Sequence, residues 1–154
     1  VFFSYHIVLF DQLGYLRIFI WLAIISAFGT DIFAYFVGMA LGKHKLCPKI
    51  SPKKSIEGSV GGIVGSVILS GIFTMIFAQN YIMHGCVIGL LGSVVSQFGD
   101  LTASVFKRKM GIKDYGKLIP GHGGILDRFD SVLFTAPVVY YYVSLVIPAA
   151  NLPI

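Results

Sequence analysis

The sequence predicts an all-α integral membrane protein: a bundle of about four transmembrane helices with two basic cytoplasmic loops. Only 12% of the 154 residues are charged, and the mean hydropathy is +0.82, whereas a soluble domain carries about 25% charged residues. Four apolar runs, at roughly 16–42, 58–78, 82–106 and 131–150, each have about the 20 residues that a helix needs to cross a bilayer core. The alternating pattern of a membrane-spanning barrel is absent from the sequence, which favours helices.

Basic residues indicate the orientation of these helices. Of the 12 Lys and Arg residues, all but Arg17 lie in two loops, at 43–57 and 107–128. The positive-inside rule places both loops on the cytoplasmic side and the intervening turn at 79–84 outside. The net charge of +5 is explained either by this topology alone or by a cytoplasmic surface that binds anions.

The first two helices are separated by the basic loop 43–57. The first helix carries Asp31 on the same face as Tyr35 and Gly38. Prolines in the loop predict an extended or turned path, and the segment that starts at Ser55 predicts a capped start of the second helix. Glycines at helical spacing in this second helix predict close helix packing.

The third and fourth helices enclose the second basic loop. Gly85, Gly89 and Gly92 form a small-residue face that continues at helical spacing to Asp100 and Ser104, so Asp100 is expected to face the interior. Loop glycines at 111, 116, 121, 123 and 124 leave backbone donors open to a phosphate. The first residues of the fourth helix include two acids three positions apart, which either complement the helix dipole or act in a site.

Acids from three helices near one membrane face predict a site for a hard divalent cation. These acids are Asp31, Asp100, Asp127 and Asp130. Magnesium binds oxygen ligands, commonly one or two carboxylates together with substrate phosphates. The alternative is a set of salt bridges with the lysines inside the membrane. His122 is the only histidine near these acids, which disfavours a transition metal; it either makes a loop hydrogen bond or contacts a phosphate.

The combination of motifs resembles the CDP-diacylglycerol synthase (phosphatidate cytidylyltransferase) family. The family pattern runs Ser-x-apolar-Lys-Arg, then Lys-Asp, then Pro-x-His-Gly-Gly-x-x-Asp-Arg-x-Asp. It is matched here by Ser104, Lys107, Arg108, Lys113, Asp114, Pro120, His122, Gly123, Gly124, Asp127, Arg128 and Asp130. The segments 31–35, 38–43, 51–58 and 99–101 also fit, although threonine is commoner at position 55.

The resemblance implies transfer of a cytidylyl group from CTP to phosphatidic acid, giving CDP-diacylglycerol and pyrophosphate at the cytoplasmic face of the inner or plasma membrane. It implies Mg²⁺ as the cofactor and leaves a second cation open. The lipid bilayer is an expected partner, nucleic acid is not, and the resemblance together with the glycine faces favours a homodimer. Family members carry additional N-terminal helices, so residues 1–154 are expected to form one membrane domain, the C-terminal catalytic part of a longer chain.

The same resemblance implies roles for individual residues. Catalytic roles fall to Asp100, Asp127, Asp130, Lys107, Arg128 and His122, with the three acids as metal ligands. Substrate binding falls to Asp31, Tyr35, Lys43, Ser51, Lys53, Lys54, Glu57, Ser104, Arg108, Lys113, Asp114, Gly123 and Gly124.

Three other functions remain open from the sequence. A polyprenol or dolichol kinase would use CTP but transfer its γ-phosphate to an alcohol. A related synthase would act on archaeal ether lipids. A cation-coupled transporter would use the acids inside the membrane without turning over nucleotide, but would leave the basic glycine-rich loop unexplained.

Overall fold

The computed structural model describes residues 5–9, 18–48, 51–112 and 126–147, with the backbone alone at 52–53 and 126–130. A short helical segment at 5–9 precedes the main elements. In chain order these are α1 (Ile18–Leu41), β1 (Lys45–Cys47), β2 (Ser51–Ser55), α2 (Ile56–Phe77), a 3₁₀ turn (Gln79–Tyr81), α3 (Ile82–Lys109) and α4 (Leu126–Val146). Each predicted apolar run therefore corresponds to one long helix.

Within the part of the chain that the structure describes, three helical segments are long and apolar enough to cross a membrane, namely Ile18–Leu41, Ile56–Phe77 and Gln79–Lys109. On α2 the exposed face carries Val60, Val64 and Ile68, whereas the opposite face buries Gly58 and Gly62. An apolar outer face and a small inner face are typical of a helix that packs within a membrane bundle. The apolar part of α4, Ser131–Val146, is shorter, so the fourth crossing stays a prediction.

The helices pack as a bundle in which α2 contacts α1 and α3, and α4 contacts α1 and α3. An apolar cluster including Phe19, Leu22, Ile88, Val139 and Val143 fills the end where α1 begins and α4 finishes. Many of the other buried side chains are small and polar, namely Ser26, Thr30, Ser66, Ser70, Thr74, Ser93, Ser96 and Thr135. The bundle interior therefore combines one apolar cluster with many buried hydroxyl groups.

Hydroxyl groups and glycines join the helices where they pack closely. Ser66 Oγ lies within hydrogen-bonding distance of the carbonyl oxygens of Ser26 (3.2 Å) and Gly89 (3.1 Å), which links α2 to α1 and α3. A β-carbon added at Gly92 would lie 2.8 Å from Ser26 Cβ and 3.2 Å from Thr135 Cγ2. The predicted small-residue face of α3 is confirmed as a packing surface, because Gly85 and Gly89 lie against α2 and Gly92 lies against α1 and α4.

The loop between α1 and α2 departs from the all-α prediction, because it forms an antiparallel β-hairpin. Lys45 pairs with Ser55 and Cys47 pairs with Ser51. Pro52 lies in β2, where its fixed φ suits an extended strand of a two-stranded sheet. β2 leads directly into α2, and Ser55 Oγ accepts a hydrogen bond from Gly58 N at 3.1 Å. The predicted helix cap is confirmed.

Candidate active site

A salt bridge joins the hairpin to α3 at the polar end of the bundle, which we call the hairpin end. Lys54 Nζ of β2 contacts Asp100 Oδ2 of α3, and the two side chains are 26% and 25% exposed. The loop lysine therefore reaches the acid that the third helix carries. Both groups remain accessible to solvent and to ions.

Close packing of neighbouring backbone segments fixes the position of the Lys54 backbone. Ser55, the next residue, is buried and caps α2. A β-carbon at Gly38 would lie 2.9 Å from Ser55 Oγ, and one at Gly58 would lie 3.0 Å from Gly38 Cα. Only glycines permit this approach of α1, β2 and α2, so the Lys54 backbone has a defined position.

A second contact, which we call the latch, closes the base of the hairpin. His44 Nδ1 lies 2.7 Å from Glu57 Oε1, and His44 N donates to both carboxylate oxygens at 3.2 and 3.3 Å. Ile56 N donates to the carbonyl oxygen of His44 at 3.0 Å. Sequence reasoning missed this pair because residues 13 positions apart become neighbours only when the hairpin is known. The prolines of the loop, which favour an extended or turned path, were the sequence feature that pointed to the hairpin.

Asp31 lies beside the first turns of α4. Ser131 Oγ donates a hydrogen bond to Asp31 Oδ2 at 3.3 Å. Since Ser131 directly follows the segment 126–130, the helical backbone that carries Asp127 and Asp130 begins next to Asp31. The backbone of α1 at Asp31 and the start of α4 are therefore neighbours, and the predicted cluster of acids stays a prediction.

Asp100 is close to the same part of α4. A β-carbon at the preceding residue, Gly99, would lie 2.8 Å from the Phe134 ring, and Phe134 is one turn beyond Ser131. α1, α3 and the start of α4 therefore meet at the hairpin end. The side chains of Asp127, Arg128 and Asp130 lie outside the described part of the structure.

The end of α3 supplies further cations. Lys107 is buried, with 9% of its surface exposed, and lies two turns after Asp100, whereas Arg108 is exposed. Gly111 N donates to the carbonyl oxygen of Arg108 at 3.1 Å and Ile112 N to that of Lys107 at 3.0 Å, and Gly111 has φ of 69°. This glycine-terminated cap ends the helix and directs the chain away from it.

The remaining predicted residues are distributed as follows. Tyr35 and Lys43 are exposed, and Ser51 and Ser104 are half-buried. Lys113, Asp114, His122, Gly123 and Gly124 lie outside the described residues, as does the Lys53 side chain. The structure thus forms two pairs of predicted or neighbouring residues towards the hairpin end, Asp31 with Ser131 and Lys54 with Asp100.

The donor chemistry at Asp100 fits Mg²⁺. Its carboxylate offers hard oxygen ligands and is partly exposed, and Mg²⁺ typically needs one or two carboxylates besides phosphate oxygens and water. Among the side chains that the structure describes, which do not include those of Asp127 and Asp130, no group of three or more His, Cys, Asp or Glu residues is placed to hold a metal ion. The Lys54 salt bridge is also what the alternative of salt bridges inside the membrane predicts for this acid.

The chain thus forms a bundle of apolar helices with a partly exposed acid and base at one end. This arrangement is that of a polytopic membrane protein with a polar site at the end of its bundle. Residues 1–146 match the cytidylyltransferase family. The chain belongs to that family, as the resemblance predicted.

Curated relatives agree with this assignment. The chain is 46% identical over 137 residues to a phosphatidate cytidylyltransferase of Bacillus subtilis (strain 168), which covers 88% of this chain and 50% of that protein. It is 45% identical over 111 residues to one of Staphylococcus aureus (strain COL), covering 70% and 42%. It is 40% identical over 114 residues to the uncharacterized protein YnbB of Escherichia coli (strain K12), covering 74% and 38%. The chain spans half or less of the length of these relatives.

Proposed function

We propose that this chain carries the active site of a phosphatidate cytidylyltransferase, which makes CDP-diacylglycerol and pyrophosphate from CTP and phosphatidic acid. The match to the cytidylyltransferase family over residues 1–146 carries the proposal. The acid and base contacts at the hairpin end support it, because a reaction between two polyanions needs cations.

The chemistry demands charge neutralisation more than proton transfer. An oxygen of the phosphatidate phosphate forms a bond to the α-phosphorus of CTP, and the bond from that phosphorus to the bridging oxygen of the β-phosphate breaks. The nucleophile is already anionic, so a strong general base is unnecessary. Preorganised positive charge near the phosphates is the effective catalytic device.

Asp100 and Asp127 would hold Mg²⁺, with Asp130 as a third ligand or as support for the other two. When bound, the ion would neutralise phosphate charge and orient the two substrates. Lys107 and Arg128 would contact substrate phosphates, and Lys53, Lys54 and Lys43 would do so from the hairpin side. His122, Lys113 and Asp114 would complete the nucleotide side of the site.

The bundle suits substrates that arrive from two phases. Exposed apolar faces on the helices would let phosphatidic acid approach from the bilayer, and the basic hairpin end would receive CTP from the cytoplasm. Both basic loops are accordingly proposed to be cytoplasmic, in agreement with the positive-inside rule.

The test is an assay of the full-length protein in mixed micelles with CTP labelled at the α-phosphate and phosphatidic acid, with and without Mg²⁺. We expect label in the lipid fraction and release of pyrophosphate, both dependent on Mg²⁺. A polyprenol kinase would instead give CDP and a phosphorylated lipid without the label. Ion flux without nucleotide turnover would indicate a transporter. An unlabelled lipid fraction from folded protein at saturating Mg²⁺ would overturn the proposal.

A further inference from the structure

We propose that Lys54 is an internal counter-cation of Asp100 that leaves this carboxylate when a divalent cation and a nucleotide phosphate bind. The inference rests on the proposed function and deepens it. It assigns Lys54 two successive partners, Asp100 in the substrate-free protein and a phosphate in the loaded one.

The first argument is the geometry of the pair. Lys54 contacts Asp100 directly, and both side chains are about one-quarter exposed. The contact is therefore neither sealed from solvent nor a loose surface pair. An incoming cation can reach the carboxylate only by sharing it with the ammonium group or by replacing that group.

The second argument is that the backbone of Lys54 is held while its side chain can move. Ser55 caps α2, and the latch of His44 and Glu57 closes the hairpin base. The lysine side chain is a flexible four-carbon stem with a compact charge. Its ammonium group can thus change partners without any rearrangement of the hairpin.

The third argument is charge balance at each stage. An ionised acid within a membrane segment requires a partner, and Lys54 supplies one to Asp100 in the absence of metal. A divalent cation on Asp100 repels the ammonium group, and the accompanying nucleotide provides an anion to receive it. Lys107 and Arg108 lie at the end of the same helix and add positive charge there.

The proposed exchange of partners by Lys54 predicts that Mg²⁺ and the nucleotide bind with positive coupling. Without nucleotide, Mg²⁺ must displace Lys54 into water, which weakens its binding. With nucleotide, the displaced ammonium group gains a phosphate partner, and by linkage each ligand increases the affinity of the other.

The experiment measures Mg²⁺ affinity of the purified full-length protein by titration calorimetry, without substrate and with CTP. Lys54→Met removes the charge, and Lys45→Met is the matched control, because Lys45 is an exposed lysine of the same hairpin. We expect Lys54→Met to increase nucleotide-free Mg²⁺ affinity roughly two- to fivefold, the size of one partly exposed ion pair. It should also reduce the coupling between CTP and Mg²⁺, and Lys45→Met should do neither.

Two further variants make the result decisive. The gain in Mg²⁺ affinity should vanish in the double variant Lys54→Met with Asp100→Asn, because the carboxylate for which Lys54 and Mg²⁺ compete is then absent. Should Lys54→Met fail to fold, Lys54→Gln provides the same comparison. Unchanged or weaker nucleotide-free Mg²⁺ affinity in folded Lys54 variants would overturn the exchange. Failure of the proposed function would appear separately, as unlabelled lipid in the assay of the parent protein.

Discussion

At the scale of single residues, Asp31 and Asp100, two acids of the apolar helices, have different partners. Asp31 accepts a hydrogen bond from the Ser131 hydroxyl, whereas Asp100 is paired with the Lys54 ammonium group. An ionised acid at the centre of a bilayer costs about 2.5–3.5 kcal/mol, so such residues are retained for a site or for a structural pair. Substitutions that keep shape and remove charge distinguish these roles.

Loss of the Asp100 or Asp127 charge should abolish turnover. An asparagine retains one hard oxygen but loses the negative charge that holds a divalent cation. We expect Asp100→Asn and Asp127→Asn each to lower the specific activity at least about 100-fold, the scale of losing a principal electrostatic contact. The yield and the thermal midpoint in detergent serve as folding controls. Near-normal activity of either variant at saturating Mg²⁺ would contradict the ligand assignment.

Asp31→Asn tests whether the acid of α1 acts in the substrate site. Asparagine can still accept the Ser131 hydrogen bond, so we expect a nearly unchanged thermal midpoint and a reduced specific activity. Ser131→Ala is the paired control, because it removes the hydrogen bond and keeps the carboxylate. A lower thermal midpoint with retained specific activity in Asp31→Asn would instead assign Asp31 a structural role.

Arg128→Lys tests the geometry of phosphate contact. A guanidinium group binds phosphate through two parallel hydrogen bonds that an ammonium group cannot reproduce. We expect Arg128→Lys to lower turnover although the charge is kept, and Lys53→Arg to be tolerated. Steady-state kinetics for CTP and phosphatidic acid on both variants decide this. If Arg128→Lys shows parent-like kinetics toward both substrates, Arg128 acts as a topological or structural charge and does not bind phosphate.

Some residue contacts could be predicted from the sequence and others could not. The Ser55 cap depends on neighbouring residues only, and it was predictable. The strand register decides which lysine of the loop 43–57 is directed at α3. The partner of Lys54 therefore depends on that register. Asp100 was expected to face the interior, and its partly exposed salt bridge places it at the margin of that interior.

At the scale of elements, glycine spacing predicted the helix contacts well, because small residues at helical intervals define one face. The hairpin was harder to predict. β1 has three residues, too few for a recognisable alternating pattern, and pairing of the two strands is not local. The latch is equally non-local, since His44 and Glu57 interact only across the folded hairpin.

Gly92→Ala tests the packing of α3. The added methyl group would lie 2.8 Å from Ser26 Cβ, and overpacking of this kind costs about 1–3 kcal/mol. We expect a lower thermal midpoint in detergent. Gly71→Ala is the matched control, because the added atom meets only the end of the Cys86 side chain at 3.1 Å. Equal midpoints for the two variants would show that the α1–α3 contact is not tightly packed.

At the scale of the whole molecule, length and hydropathy predicted the helices because both are properties of continuous segments. Among the described residues, three helical segments meet the requirements for a membrane crossing, and the chain belongs to the cytidylyltransferase family. The apolar part of α4 is shorter than these segments, so the fourth crossing stays a prediction. Orientation is a further property of the whole molecule, and it was predicted from the basic loops alone.

Cysteine labelling in cells tests this orientation. With Cys47 and Cys86 replaced by serine, Asn80→Cys places a thiol on the turn before α3 and Lys45→Cys places one on the hairpin, and both positions are exposed. A membrane-impermeant maleimide should label Asn80→Cys in intact cells and Lys45→Cys only after permeabilisation, because α2 crosses the membrane between them. Ser66→Cys, which lies buried in α2, should remain unlabelled in both conditions. The reverse pattern would place the basic hairpin end outside, where cytoplasmic CTP cannot reach it, and labelling of both sites in intact cells would mean that α2 does not cross.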